Sequence, residues 1–297
     1  MWLNQRFHKL YPNDEKYVYE IEKSLYNVAI AGQDHEYAIR YFAWLEGERV
    51  DGKNMNASWN PTHCCAGVAV RIYGMLPEFL YSINNDSVYL DIYGASEFLW
   101  EKEGNNVKIT QITDMPYDSN VRIMVSCEKT EKFKVMIRIP SWVDGDVEVK
   151  IGTEKYNGSP GTYLCIERVW EAGSDNVIDF NLMFKWNLTK YTGVDQADGY
   201  ERFALEYGPV LMAAVSDRTP DDDEECYDKF HDRKTKINYL DLFKLKLNPE
   251  SYESWLVKDD KALHFKIKGY DDLMYMPYYK VEGGKYFACY PLFSKND

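Results

Sequence analysis

Two adjacent cysteines, Cys64 and Cys65, are the residues of this chain best placed to do chemistry. They precede a run of apolar residues spaced three and four apart, from Val68 to Ile83, which predicts a helix with one buried face. The two thiols would then lie at a helix N-terminus, where unpaired N–H groups and the helix dipole favour the thiolate. A thiolate is both a nucleophile and a soft-metal ligand, so the pair is a candidate catalytic or metal site. The alternative is that both are small buried apolar side chains.

His63 and the other cysteines give weaker indications of a functional site. His63 is next to both thiols, but a loop histidine is more often only hydrogen-bonded, so we do not predict it as a ligand. Six cysteines in 297 residues fit no dense disulfide framework, and sequence neighbours do not bond each other without strain.

Composition limits the class of protein. The length allows two domains, or three small ones, and 45% apolar with 28% charged residues is typical of a soluble globular protein. A net charge of −13 argues against nucleic acid or an anionic membrane as a partner, and no apolar run approaches a membrane span of about 20 residues. The 25 tyrosines and 8 tryptophans suit sugar faces, but they suit cores and interfaces equally well.

The first part of the chain reads as helical. Met1 opens within an amphipathic helix with no signal peptide, which leaves the localisation open and predicts further sequence upstream. A second helix is predicted up to Gly32, and a kink is expected in the cysteine helix near Gly74 and Pro77. The predicted faces of the first two helices are Trp2, Leu3, Phe7 and Leu10, and then Val18, Ile21, Leu25, Val28 and Ala29.

From about Asn84 the apolar period becomes two, which predicts strands. The fold class is therefore α then β: helices over 1–83, an antiparallel β-sandwich over 84–185 and a second sandwich region over 186–297. A last hairpin is predicted through Gly283-Gly284, and the acidic run 221–225 is predicted to be a solvated loop. The clearest alternating segments are 87–93, 107–110, 121–125, 133–139, 147–151, 203–207 and 210–215.

Several short stretches occur in the order seen in a known family. The chain resembles the C-terminal half of the β-L-arabinofuranosidase-type glycoside hydrolases, glycoside hydrolase family 127 and its relatives. Besides His63-Cys64-Cys65, the stretches that carry the resemblance are Ser24-Leu25-Tyr26-Asn27, Arg138-Ile139-Pro140-Ser141-Trp142, Trp170 with Gly173-Ser174-Asp175, Phe203 to Val210, and Met276-Pro277-Tyr278-Tyr279.

The resemblance implies a fold and a chemistry. The fold would be the last helices of an α/α barrel followed by two β-sandwich domains. The chemistry would be retaining hydrolysis of a plant-type or complex carbohydrate by a cysteine held on zinc, with three cysteines and a glutamate as metal ligands. Carried onto this chain, Cys64 would be the nucleophile and a zinc ligand, and Cys65 a second ligand.

This sequence departs from the family pattern in one respect. The acid/base glutamate and a Glu-x-Cys element, which supply the remaining chemistry and ligands, should lie before Ser24, and the 23 residues there contain no cysteine. The only Glu-x-Cys is Glu224-Glu225-Cys226, far downstream, and two thiolates do not complete the four-coordinate site of zinc. We therefore expect a C-terminal portion of such a hydrolase that is inactive alone and binds zinc weakly or not at all.

Three other classes of function stay open at this point. The chain could be a non-catalytic carbohydrate-binding module that uses its exposed aromatic side chains. It could complete a barrel with a second polypeptide that supplies the missing helices. The adjacent thiols could also serve a metal or redox role.

Overall fold

The computed structural model describes residues 1–33, 39–40, 43–49, 64–174, 176–193, 197–218 and 239–295. The α-helices are α1 Trp2–Leu10, α2 Lys16–Ser24, α3 Cys64–Gly74, α4 Pro77–Leu80 and α5 Tyr252–Trp255. A π-helical turn, Leu25–Ala29, and a 3-10 turn, Ile30–Gly32, follow α2, and further 3-10 turns are Tyr239–Phe243, Pro249–Ser251 and Tyr278–Lys280.

The strands outnumber the helices. In chain order they are β1 Glu46–Glu48, β2 Tyr81–Ile83, β3 Ser87–Leu90, β4 Ser96–Lys102, β5 Asn105–Thr113, β6 Asn120–Cys127, β7 Glu131–Ile139, β8 Val147–Ile151, β9 Glu154–Gly158, β10 Thr162–Trp170, β11 Asn176–Asn181, β12 Trp186–Lys190, β13 Tyr200–Tyr207, β14 Val210–Ser216, β15 Lys244–Leu245, β16 Leu256–Lys258, β17 Phe265–Ile267, β18 Tyr270–Pro277, β19 Tyr286–Ala288 and β20 Leu292–Ser294. The protein is thus mostly β, with its longer helices before the first large sheets.

Two compact units divide the chain. The first contains Met1–Leu25 and Ile72–Lys185, and the second contains Tyr26–Arg71 and Trp186–Asp297. Residues from the range 1–83 occur in both units, and the domains expected from the sequence, 1–83, 84–185 and 186–297, stay predictions. A strand, β1, also lies in the region expected to be helical.

The first unit contains two sheets that share one hydrophobic core. Their strand orders are β10-β7-β3-β2 and β4-β5-β6-β11-β8-β9. Alternate residues of each strand point into this core, which explains its composition. In β5, Val107 and Ile109 are fully buried, while Lys108 between them points outward and pairs with Glu97. Most neighbours are antiparallel, and β3 runs parallel to β7. Trp170 is fully buried in this core and donates its indole N–H to the main-chain carbonyl of Phe133 at 3.0 Å.

The second unit contains a ten-stranded sheet with an aromatic core. Its main path is β15-β20-β13-β14-β18-β17-β16, with β1, β12 and β19 paired to strands of this path or to each other. The side chains of Tyr275, Tyr278, Tyr286 and Phe287 are at most 1% exposed. At least these three tyrosines of the 25 in the sequence therefore serve packing.

The expected cysteine helix is shorter than the sequence pattern indicates. It breaks between Gly74 and Pro77, as expected, but α4 ends at Leu80 and the following residues form β2, so the helical assignment up to Ile83 is wrong. The buried face is also only partly correct, because Phe79 is 3% exposed and Val68 is 49% exposed. Proline starts α4 and cannot continue the ladder of α3, which explains the break.

The second predicted helix is confirmed up to Gly32 with one local exception. Val18, Ile21 and Leu25 are buried as expected, but Val28 is 65% exposed. The wider π-helical turn at Leu25–Ala29 changes the number of residues per turn and rotates Val28 out of the buried face.

The predicted last hairpin is wrong. The strands on either side of Gly283-Gly284, β18 and β19, both pair with β14 and not with each other. Ala214 of β14 is opposite Tyr275 on one side and Ala288 on the other. A long connection with a 3-10 turn carries the chain from one side of β14 to the other.

No helix in the described ranges is long and apolar enough to cross a membrane.

Candidate functional site

The adjacent cysteines belong to helix α3. Helix α3 is described from Cys64 onwards, so Cys64 and Cys65 lie in its first described turn, and their place at the helix N-terminus stays a prediction. Their side chains lie outside the described part of the structure, as do His63, the acidic run and Cys226, and their chemical roles stay predictions. Gly67 and Val68 in the same turn region are exposed, so this end of the helix is open to approach on that side.

A zinc site needs more ligands than these two cysteines supply. Structural and catalytic zinc sites use three or four protein ligands. Among the residues whose positions the structure describes, no group of three or more His, Cys, Asp or Glu side chains is arranged to hold a metal ion. The side chains of Cys64 and Cys65 are not among those described, so zinc binding at this pair stays a prediction.

The other described cysteines do not have the surroundings of nucleophiles. Burial raises the pKa of the Cys127 thiol to about 11 and raises that of Cys289 further. Cys165 is exposed, and partial burial raises its pKa as well. All three thiols are protonated at neutral pH and none forms a disulfide.

Polar side chains from distant parts of the sequence meet in the first unit around the carboxylate of Asp91. Ser82 donates its hydroxyl to Oδ2 at 2.7 Å, and Tyr163 donates to Oδ1 at 2.7 Å. Nε2 of His8 lies 3.1 Å from Oδ1 and 3.1 Å from the hydroxyl oxygen of Ser82. Burial, with the nearby Asp91 carboxylate, raises the pKa of Tyr163 well above its ordinary value, so the phenol stays a donor. Because Ser82 donates to the carboxylate and not to the imidazole, this is not a nucleophilic triad.

The guanidinium of Arg138 forms a second buried cluster. Its Nε donates to Glu15 at 2.8 Å and its Nη2 to Glu22 at 3.0 Å, and Trp142 donates its indole N–H to the same oxygen of Glu22 at 2.7 Å. Burial opposes the charge, but the carboxylates of Glu22 and Glu15 together outweigh it and raise the pKa of Arg138 above its ordinary value. These bonds join α2 to β7 and the residues after it, so the cluster has a structural role.

Two concave surfaces of the first unit could accept a ligand. A cleft of about 410 Å³ lies among α1, α2, α4, β2 and β3 and contains His8, Ser82 and Asp91. An open groove of about 910 Å³ runs over the six-stranded sheet. It is lined by an exposed ion pair, Arg122 with Asp179 at 2.7 Å, and by side-chain amides and carboxylates.

Comparison with known proteins places part of this unit in a family. Residues 87–183 match the family model described as β-L-arabinofuranosidase, GH127 middle domain, a range that covers β3 to β11. The match supports a relation of this part of the chain to the GH127 β-L-arabinofuranosidases. The resemblance found in the sequence is confirmed.

Solved structures extend the similarity of fold over the whole chain. A GH127 β-L-arabinofuranosidase from Geobacillus stearothermophilus T6 is 21% identical with a TM-score of 0.63, over 98% of this chain and 48% of its own. A second GH127 β-arabinofuranosidase is 20% identical with a TM-score of 0.67, over 99% and 48%. A structure described as a glycoside hydrolase is 16% identical with a TM-score of 0.64, over 98% and 50%. The chain thus spans about half the length of these structures. A search of curated protein sequences finds no match.

Sequence reasoning missed both buried clusters. Arg138 and Trp142 were noticed as a motif, but nothing in the sequence connects them to Glu22, 116 residues before Arg138. His8 is the one buried residue of α1, and the amphipathic pattern gave no sign of this, because it placed Leu3, Phe7 and Leu10 on the buried face. Its partners Ser82 and Asp91 carry no local signal, since hydrogen bonds across 74 and 83 residues depend on the tertiary fold.

Proposed function

We propose that this chain is the C-terminal part of a retaining glycoside hydrolase of the β-L-arabinofuranosidase type. Its first helices would be the last helices of an α/α barrel, and the two β-rich units would be sandwich domains. The observation that carries the proposal is the match to the GH127 middle domain at 87–183, which lies after the helix that contains Cys64 and Cys65, with α4 and β2 between them. The substrate would be a plant-type or complex carbohydrate with β-L-arabinofuranosyl groups.

In this proposal Cys64 is the nucleophile. Backbone N–H groups at the start of α3 and the dipole of that helix favour the thiolate. The thiolate attacks the anomeric carbon of the sugar, the bond to the leaving oxygen breaks, and a carboxylic acid protonates that oxygen. Water then releases the sugar from sulfur, with the same acid acting as base, so the configuration is retained.

We further propose that this polypeptide has no glycosidase activity by itself. Cys64 and Cys65 would be two of the ligands of the family zinc site, so zinc would bind weakly or not at all to this chain alone. The acid/base glutamate and the Glu-x-Cys element would come from additional helices, in a longer chain or in a second polypeptide.

An exposed apolar stripe on α1 supports the need for such helices. Leu3, Phe7 and Leu10 are spaced four and three residues apart and so share a face, and they are 65%, 37% and 70% exposed. Buried polar contacts occupy another face, where His8 bonds to Ser82 and Asp91. An amphipathic helix with its apolar stripe in water is expected to dock on further helices, which is how an α/α barrel would cover it.

The test is a hydrolysis assay with p-nitrophenyl β-L-arabinofuranoside, with and without added zinc. We expect no turnover for the chain alone. When a polypeptide with the missing helices and a Glu-x-Cys element is added, we expect hydrolysis that is abolished by Cys64→Ser and retained by Cys165→Ser, the exposed control cysteine. Zinc-dependent and Cys64-dependent turnover by the chain alone would refute the inactivity, and reconstituted activity that survives Cys64→Ser would refute the nucleophile.

The open groove of the six-stranded sheet favours one second candidate, a non-catalytic carbohydrate-binding role. Asn181 lines this groove, and its Oδ1 has no hydrogen-bond partner in the described structure. Carboxylates, amides and the guanidinium of Arg122 suit sugar hydroxyls. Glycan binding that survives replacement of both adjacent cysteines by serine, and is lost in Asn181→Leu, would support this candidate over the catalytic one.

A further inference from the structure

His8, which lines the cleft, has one buried ring nitrogen without a hydrogen-bond partner among the described residues. This atom is Nδ1, and His8 as a whole is 4% exposed. Buried polar atoms in native proteins nearly always have a partner. Because His8 lines a cleft of about 410 Å³, a bound molecule can supply the missing partner.

The surrounding bonds decide what that partner must be. Ser82 has one hydroxyl proton, which it donates to Asp91, so its oxygen can only accept from Nε2 of His8. Nε2 must therefore carry the proton, and in the neutral ring Nδ1 is an acceptor. Asp91 already accepts bonds from Ser82, His8 and Tyr163. The nitrogen of His8, not the carboxylate, is the group left for a ligand, and it calls for a donor.

The lining of the cleft narrows the class of ligand. Its charged side chains are Lys9, Glu78 and Asp91, one cation against two anions, which does not favour an anionic ligand. Ile83 contributes exposed apolar surface to the cleft, against which the C–H face of a sugar ring can pack. The volume accommodates a ligand smaller than a typical drug-sized molecule.

We propose that this cleft binds a small neutral ligand rich in hydroxyl groups, a single sugar ring or polyol, which donates a hydroxyl to Nδ1 of His8 while its apolar face packs on Ile83. The site goes beyond the function proposed above, because neither Cys64 nor Cys65 takes part in it.

The experiment uses the full chain and three probes: L-arabinose, D-galactose and glycerol. Saturation-transfer NMR measures the dissociation constant, and long-range ¹H–¹⁵N spectra of the imidazoles report on Nδ1 of His8. We expect at least one probe to bind and to shift the Nδ1 resonance of His8. His8→Phe removes the acceptor and is expected to weaken binding by about tenfold, the effect of one net hydrogen bond.

A steric variant tests the location without touching the buried cluster. Ile83 lines the cleft and is 51% exposed, so Ile83→Trp is expected to narrow it and weaken binding by at least about tenfold. Val169→Trp is the matched control, because Val169 is also a strand residue, is also 51% exposed and lies outside the cleft. It should bind like the unmodified chain.

Other outcomes would overturn the inference. Binding that is unchanged in Ile83→Trp and in His8→Phe would place the ligand elsewhere. Preferential binding of ethanolamine or of inorganic phosphate would refute the neutral class. The absence of binding by all three hydroxyl probes at millimolar concentration would refute the site itself.

Discussion

Removal of the Glu22 carboxylate should destabilise the first unit more than any exposed ion pair can. Glu22 is 1% exposed, and one of its oxygens accepts bonds from Arg138 at 3.0 Å and from Trp142 at 2.7 Å. In Glu22→Ala both bonds are lost and a fully buried cation keeps only Glu15 as its counterion.

The magnitude follows from these contacts. A hydrogen bond to a charged group contributes roughly 1.5–3 kcal/mol, and breaking one side of a buried ion pair costs about 3–5 kcal/mol. Because Glu15 remains paired with Arg138, we expect the lower part of this range, about 3 kcal/mol in the free energy of unfolding. Glu22→Gln keeps an acceptor for Trp142 and removes only the charge, so it should cost less, roughly 1–2 kcal/mol.

The measurement is urea unfolding followed by circular dichroism, with hydrogen exchange on peptides of α2 and β7 to locate the effect. Asp179→Ala is the matched control, since it breaks the exposed ion pair between Asp179 and Arg122. The side chain of Asp179 is 45% exposed and that of Arg122 is 56% exposed. This control variant should leave the unfolding midpoint nearly unchanged. If Glu22→Ala behaves like Asp179→Ala, the buried cluster does not hold α2 on the sheet and the reasoning fails.

Three further predictions test local packing and titration. Gly158→Ala should cost about 1–3 kcal/mol by urea unfolding, because its new Cβ would lie 2.6 Å from a buried side chain, whereas Gly94→Ala, with 3.9 Å of space, should cost much less. At pH 8, iodoacetamide should modify the exposed Cys165 well before Cys127, whose pKa of about 11 leaves about one thiolate in a thousand; equal rates would contradict this. Burial lowers the pKa of His264, so the stability it contributes is present above about pH 6.5 and is lost as the pH falls towards the lowered value. The unfolding midpoint should therefore fall on acidification to pH 5, and less so in His264→Gln.

The strands were largely predictable because alternation is a local signal. Residues 147–151 were expected as a strand and form β8 with the same bounds, burying Val147, Val149 and Ile151 and exposing the two residues between them. Pairing was not predictable in the same way. β3 lies parallel to β7, more than forty residues later, and β18 and β19 are separated by β14, because strand partners are selected by the whole core.

For the helices, the sequence pattern predicted the apolar face but not whether that face is buried. The period of α1 correctly indicated one apolar face, but Leu3 and Leu10 on that face are exposed and the buried residue is His8. Periodicity defines a face, and only a packing partner decides whether that face is buried. The same holds for the candidate site: the spacing predicted Cys64 at the start of α3, while the ligands and acid that would complete its chemistry cannot be read from the residues around it.

The motif Arg138-Ile139-Pro140-Ser141-Trp142 explains why the resemblance informs on the fold more than on the chemistry. Its first and last residues both bind the carboxylate of Glu22, and Ile139 is fully buried in the shared core. The motif therefore holds α2 against β7. This structural role does not depend on whether the chain cleaves a sugar. In the reconstituted assay, loss of activity in a variant of Arg138 would accordingly report on the position of α2, whereas loss in Cys64→Ser with the fold intact would report on catalysis. Only the second result can separate an enzyme from a module that has kept the architecture alone.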